Sequence, residues 1–108
     1  MTTLLLIEDD FSLAQSLIEL FADNGVGTTH ETTLTTALTH MSGIDKVLSD
    51  WDLGIYESKN GGEIVSALRD KFPDVEYAIY SGLERRVPEG VAFFTKDRLT
   101  EIIRWVTS

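Results

Sequence analysis

Two short apolar runs, each followed by acidic residues, constrain the fold of this chain more than any other feature. Residues 4–7 are apolar on both faces and end at Glu8 and Asp9. Residues 47–48 form a second run, which leads to Asp50. Such runs are too short for helices, and strands without polar alternation are typical of parallel sheets that helices cover on both faces. The two runs therefore predict central strands that bring carboxylates to one edge of a parallel sheet.

The rest of the chain alternates between helical and extended patterns. Apolar residues at helical spacing predict four helices, of which the first has Ser12 as its N-cap and stops near Asn24. Further strands are predicted at residues 28–31, 77–80 and 92–95. Alternating strands and helices with right-handed crossovers form a parallel sheet between two helical layers. We therefore expect an α/β fold in one domain that spans residues 1–108.

The connection between the last two strands differs from the others. It runs from Ser81 to Phe93 and contains Pro88 and Gly90. A right-handed parallel crossover normally contains a helix, but these two residues leave no room for one. We therefore expect a single helical turn or an irregular loop in place of a fourth helix, so that the last helix of the chain follows the fifth strand.

Composition limits the classes of function. The 108 residues are 43% hydrophobic, enough for one domain with a substantial core. Nine basic and eighteen acidic side chains give a net charge of −9, which repels nucleic acids and anionic membrane surfaces. The chain contains no cysteine, which excludes disulfides and thiolate metal sites and fits a reducing cytoplasm. Its apolar runs are far below the ~20 residues that span a bilayer, so we expect a cytoplasmic protein without a membrane segment.

Polar side chains follow four of the predicted strands. Glu8 and Asp9 follow the first strand, Asp50 ends the third, Ser81 the fourth and Lys96 the fifth. Clustered carboxylates raise one another's pKa unless a cation lies among them, and oxygen ligands without Cys or His favour Mg²⁺. A metal beside Asp50 would allow its carboxylate to attack a phosphoryl group, while Lys96 and Ser81 bind phosphoryl oxygens.

Four ordered motifs carry a resemblance to a known family. They are Leu-Leu-Leu-Ile-Glu8-Asp9, Val-Leu-Ser-Asp50-Trp, Ala-Ile-Tyr-Ser81-Gly82 and Phe93-Phe-Thr-Lys96. In this order and spacing, the chain resembles the receiver domain of two-component response regulators over its whole length. The resemblance implies a flavodoxin-like fold with five parallel strands in the order 2-1-3-4-5 and helices on both faces. It also implies a signalling domain rather than an enzyme.

The resemblance assigns the acceptor and the metal ligands. Asp50 would accept a phosphoryl group from a phosphohistidine of a sensor histidine kinase or a histidine phosphotransfer protein. Asp9, Asp50 and the backbone carbonyl of Asp52 would bind Mg²⁺, and Glu8 would act mostly through water. Phosphorylation would then switch the contacts of the domain with other proteins.

The resemblance also assigns the switch residues. Ser81 would be the switch hydroxyl, and Phe93 the aromatic residue that changes rotamer. Three positions depart from the family: Asp97 follows Lys96 where proline is usual, Gly54 stands where proline is common, and Gly61-Gly62 replaces the more usual Asp-Gly. The lost fourth helix is a larger departure, because many receiver domains signal through the surface that this helix helps to form.

Two alternatives stay open at this point. The sequence Asp50-Trp51-Asp52 is similar to the strand end of haloacid-dehalogenase-type phosphatases, which form an aspartyl-phosphate as a catalytic intermediate. That motif normally lies on the first strand, and such enzymes need more chain for a cap and a substrate pocket. The other alternative is a degenerate receiver that is never phosphorylated and acts only as an interaction module, as Asp97 and the missing helix suggest.

Overall fold

A computed structural model, which describes residues 2–108, has five strands and four helices. In chain order they are β1 (Thr2–Ile7), α1 (Phe11–Asp23), β2 (Val26–Glu31), α2 (Leu34–Thr39), β3 (Lys46–Asp50), α3 (Gly61–Lys71), β4 (Glu76–Ser81), β5 (Ala92–Thr95) and α4 (Leu99–Thr107). The strands form one parallel sheet in the order β2-β1-β3-β4-β5, which confirms the predicted topology. Among the described residues, no helix is long and apolar enough to cross a membrane.

The sheet is buried on both faces, as its unalternating apolar runs predict. Leu4 and Leu6 pack against α1 and α4, whereas Leu5 and Ile7 face the layer formed by α2 and α3. All four side chains are fully buried. Because side chains alternate along a strand, a run that is apolar at every position supplies both cores at once.

The starts of α1 and β2 are among the element boundaries that differ from the sequence prediction. The N-cap of α1 is Asp10 rather than Ser12, because the Asp10 carboxylate accepts a hydrogen bond from the Leu13 N–H at 3.0 Å. Strand β2 begins at Val26, ahead of the predicted start, and Val26 is buried in the core beside α1. In both cases a tertiary or capping contact extends the element beyond the apolar pattern.

The connection from β4 to β5 contains no helix within residues 82–91, which confirms that prediction; we name this segment the β4–β5 loop. Its first half is held by Arg85, whose guanidinium lies over the Trp51 ring, 5.6 Å from the centroid. Its second half is held by Arg69 of α3, which donates a hydrogen bond to the Glu89 carbonyl. Val87 packs on the core beneath the loop. The loop therefore replaces part of the helical layer over β4 and β5.

Strand β3 begins with a buried lysine. The Lys46 side chain is only 3% exposed, and its Nζ donates hydrogen bonds to the Trp105 carbonyl at 2.6 Å and to the Ser108 hydroxyl at 2.7 Å. Glu76 lies 3.4 Å from the same ammonium group. A cation at the C-terminal end of a helix satisfies free carbonyls and interacts favourably with the helix dipole. Lys46 thus fastens the last turn of α4 to the sheet.

We expect Lys46→Met to lower the free energy of unfolding by about 2 kcal/mol, because the carbonyls at the end of α4 lose a charged donor. Urea denaturation measures the change. Lys71→Met, at an exposed position at the end of α3, is the matched control and should leave stability nearly unchanged. Equal effects of the two substitutions would contradict a structural role for Lys46.

Candidate functional site

Three acidic residues converge at the carboxyl edge of the sheet. Asp50 is the last residue of β3, and Glu8 and Asp9 directly follow β1, its neighbour in the sheet. One carboxylate oxygen from each residue lies within 4.8 Å of the others. The parallel register produces this cluster, because both strands end at the same edge. The predicted convergence of these three residues is therefore observed.

Glu8 is the most deeply buried member of the cluster, with a fully buried side chain. The Tyr80 hydroxyl donates a hydrogen bond to Glu8 Oε1. Burial raises the pKa of Glu8, and the Tyr80 hydrogen bond opposes this increase. The same burial, together with the nearby Glu8 carboxylate, raises the pKa of the Tyr80 hydroxyl, so Tyr80 stays a neutral donor.

Asp50 is paired with Lys96, which directly follows β5. Lys96 Nζ donates to Asp50 Oδ2 at 3.2 Å and lies 3.8 Å from Glu8 Oε1. Burial raises the pKa of Asp50 more than the contacts with Glu8 and Lys96 lower it. Burial and the neighbouring Glu8 also raise the pKa of Asp9. The site therefore holds its negative charge at a cost in free energy.

The start of α3 approaches the end of β3 so closely that only glycine fits at position 61 and a side chain at position 62 would be tight. A methyl group at Gly61 would overlap the Asp50 carbonyl oxygen, and one at Gly62 would lie 3.0 Å from the Trp51 ring. Asn60 caps this helix, and its side chain accepts a hydrogen bond from the Glu63 N–H at 2.9 Å. The two glycines thus allow α3 to begin directly beside the phosphoacceptor candidate.

The cluster fits a hard divalent cation. Its donors are carboxylate oxygens of Glu8, Asp9 and Asp50, which is the ligand type that Mg²⁺ prefers. The Asp52 carboxylate lies outside the cluster: it is 75% exposed and lies 3.6 Å from Arg85 Nη2. The family resemblance assigns the backbone carbonyl of Asp52, not its carboxylate, to the metal, and this assignment stays a prediction.

The two predicted switch residues lie on neighbouring strands of the sheet. Ser81, the last residue of β4, is buried, and its Oγ accepts a hydrogen bond from the Leu83 N–H at 3.3 Å. Phe93, in β5, is partly buried and packs on the core formed with α2 and α3. Ser81 thus contacts the β4–β5 loop directly, and the switch roles of both residues stay predictions.

Two residues of the site were missed in the sequence. The Tyr80 hydroxyl donates a hydrogen bond to Glu8. His30, near the end of β2, has its Nε2 2.7 Å from the Glu8 carbonyl oxygen. The available signal for Tyr80 was its place immediately before Ser81 at a strand end. For His30 there was none, because its contact depends on the pairing of β1 with β2.

The comparisons with known proteins bear on the fold. No protein-family model and no curated protein matches the chain. Three similar solved structures are receiver domains. The Francisella response regulator 1452 receiver domain has a TM-score of 0.81 at 24% identity, and the match covers 98% of this chain and 93% of that one. A CheY-like receiver domain from Methylobacillus flagellatus has a TM-score of 0.77 at 24% identity, covering 98% of both chains.

The third is the receiver domain of the hybrid histidine kinase CckA, with a TM-score of 0.77 at 19% identity, covering 98% of this chain and 99% of that one. In this topology Asp50 ends the third strand, whereas the phosphatase motif lies on the first. At these identities the likeness establishes the fold. The described chain therefore has the fold of a response-regulator receiver domain, with an irregular loop in place of the helix between its fourth and fifth strands.

Proposed function

We propose that this chain is a phosphoacceptor receiver domain of a two-component system, in which Asp50 takes a phosphoryl group from a phosphohistidine. The donor would be a sensor histidine kinase or a histidine phosphotransfer protein in the cytoplasm. One observation carries the proposal: on a receiver fold, the Asp50 carboxylate converges with Glu8 and Asp9 and is paired with Lys96. Phosphorylation would regulate contacts with other proteins, so the domain is a signalling module.

The residues of the site suit this transfer. An oxygen of ionised Asp50 would form a bond to phosphorus while the bond from phosphorus to the histidine nitrogen breaks and that nitrogen takes up a proton. Lys96 Nζ, now 3.2 Å from Asp50 Oδ2, is near enough to bind a phosphoryl oxygen. The Ser81 hydroxyl would donate to a second phosphoryl oxygen. Asp50 is thus a nucleophile in a site that carries its own cation.

Glu8, Asp9 and Asp50, with the backbone carbonyl of Asp52, would hold Mg²⁺. When bound, Mg²⁺ supplies positive charge that offsets the repulsion between the carboxylates and an incoming phosphoryl group. Burial already raises the pKa of each of the three carboxyl groups. The site therefore favours binding of a metal ion or of a proton, and the two compete as the pH falls.

The response to phosphorylation would begin at Ser81. Its Oγ accepts the Leu83 N–H in the unmodified protein, so a turn of the hydroxyl toward a phosphoryl group alters a contact with the β4–β5 loop. Phe93 would follow by changing its rotamer. Since a short loop replaces the fourth helix, we expect the rearrangement to stay largely within residues 82–92.

The surface around the site supports a protein as phosphodonor. All five exposed large hydrophobic side chains of residues 2–108 follow carboxyl ends of strands; this apolar rim consists of Phe11, Ile55, Tyr56, Leu83 and Leu99. Phe11 and Tyr56 of this rim contact each other. Exposed apolar groups at one edge of a domain typically mark a protein interface. A small phosphodonor would make no use of such a rim.

The first test is Asp50→Asn. Incubation of the wild type with acetyl phosphate and Mg²⁺ should add one labile phosphoryl group, detected by intact mass, because the Asp50 carboxylate is the nucleophile. The variant and the metal-free wild type should gain none. If the wild type gains no group and beryllofluoride does not change its spectrum, the domain is instead a degenerate receiver that acts only through binding.

Asp50→Asn should also raise the free energy of unfolding near neutral pH. Burial raises the pKa of Asp50 in the folded state, so the unfolded chain releases this proton at a lower pH. Ionisation therefore destabilises the fold above the unfolded pKa of about 3.9, fully so above the folded pKa. Urea denaturation across this range should give a gain that disappears as the pH falls. A gain independent of pH would contradict the electrostatic cause.

Phe11→Ser should slow phosphotransfer from a phosphorylated histidine phosphotransfer protein by roughly tenfold, because it removes an aromatic anchor from the interface. Transfer from phosphoramidate, a small donor with the same phosphorus–nitrogen bond, is the control and should be unchanged, since Phe11 is exposed and lies outside the acidic cluster. Equal slowing with both donors would mean that Phe11 supports the site itself rather than a partner.

A further inference from the structure

A glycine in the connection after β3 lies directly against one of the acidic residues. Gly54 has φ +64°, in the left-handed region that favours glycine. A methyl group built on it would overlap Asp9 Oδ2 and lie 3.4 Å from Asp9 Cγ. Proline, whose φ is fixed near −65°, cannot adopt this conformation. The carboxylate of Asp9 therefore occupies the space that a side chain at position 54 would need.

Asp9 differs from the other two acidic residues in how it is held. Tyr80 donates a hydrogen bond to Glu8, and Lys96 donates one to Asp50. Neither of these donors binds Asp9, which is also less deeply buried. With neither donor bound to it, the Asp9 carboxylate can turn away if the space beside Gly54 is filled.

The two segments that carry Asp9 and Gly54 are joined by further contacts. The Phe11 and Tyr56 rings meet edge to face, with centroids 6.5 Å apart. Glu57 Oε1 accepts a hydrogen bond from the Leu34 N–H at 2.7 Å, which fastens the connection after β3 to the start of α2. These contacts oppose a shift of the segment, and the atom nearest to an added methyl group is the end of the flexible Asp9 side chain, so a side chain at position 54 would displace Asp9.

We propose that Gly54 is a positioning residue for Asp9. By lacking a side chain, it lets the Asp9 carboxylate lie within the acidic cluster, where it can bind a divalent cation together with Glu8 and Asp50. The part of this inference that concerns Mg²⁺ rests on the proposed function. The steric coupling between Gly54 and Asp9 does not, because it exists in the metal-free protein.

The decisive variant is Gly54→Asn, since asparagine tolerates the left-handed region better than other residues with a Cβ. In metal-free buffer with EDTA, it should lower Tm by about 2 °C in the wild-type background, a small loss because the Asp9 carboxylate is the end of a flexible side chain. In an Asp9→Ala background, which removes the carboxylate but not the backbone cost at position 54, the loss should be smaller. The control is Gly25→Asn, because Gly25 has φ +80° but no atom within 4 Å of an added methyl group. Its cost should be the same in both backgrounds.

Calorimetric titration with MgCl₂ forms the second arm. Gly54→Asn should weaken Mg²⁺ binding roughly tenfold, the scale of a lost supporting contact around a metal site, whereas Gly25→Asn should leave it unchanged. If the wild type binds no Mg²⁺, the proposed function fails, and the metal-free arm still decides the steric coupling. The inference is overturned if Gly54→Asn costs as much in the Asp9→Ala background as in the wild type. It is also overturned if the variant binds Mg²⁺ as tightly as the wild type does.

Discussion

The concentration of negative charge at one edge of a buried sheet is the interaction on which the rest of this structure depends. Glu8, Asp9 and Asp50 lie together because β1 and β3 are neighbours and end in register. Burial makes their ionised forms costly. Two donors offset part of this cost: the Lys96 ammonium group from the segment after β5 and the Tyr80 hydroxyl from β4. Binding of a cation therefore stabilises the site, and a change in the charge at Asp50 alters its balance.

The β4–β5 loop, which replaces a helix, lies beside the residues that follow Asp50. In the β4–β5 loop, Arg85 contacts Trp51 and Asp52, the two residues that follow Asp50. Ser81 also contacts this loop through the Leu83 N–H. The loop is therefore linked to the site at two points in its first half, while Arg69 and the core hold its second half. The element that would first respond to a change at Asp50 is therefore an irregular loop rather than a helix.

Much of the fold could be predicted because its signals are local. Apolar runs without alternation identified β1 and β3, and Pro88 with Gly90 excluded a helix before β5. The misplaced N-cap of α1 has a simple cause: Asp10 and Ser12 are both good caps, and the choice depends on which side chain reaches a free N–H. Tyr80 and His30 were missed because their roles arise from strand pairing, which a linear pattern does not encode.

The sequence by itself determined the class of the fold, the order of its elements and which residues lie at the carboxyl edge, because each of these follows from apolar spacing and from where strands end. Only the tertiary structure decided how the charges are held. It brought Tyr80 against Glu8, laid Lys96 against Asp50, and left the space beside Gly54 for Asp9. Those contacts join residues far apart in the chain, so their physical basis is the packing of strands and loops against one another.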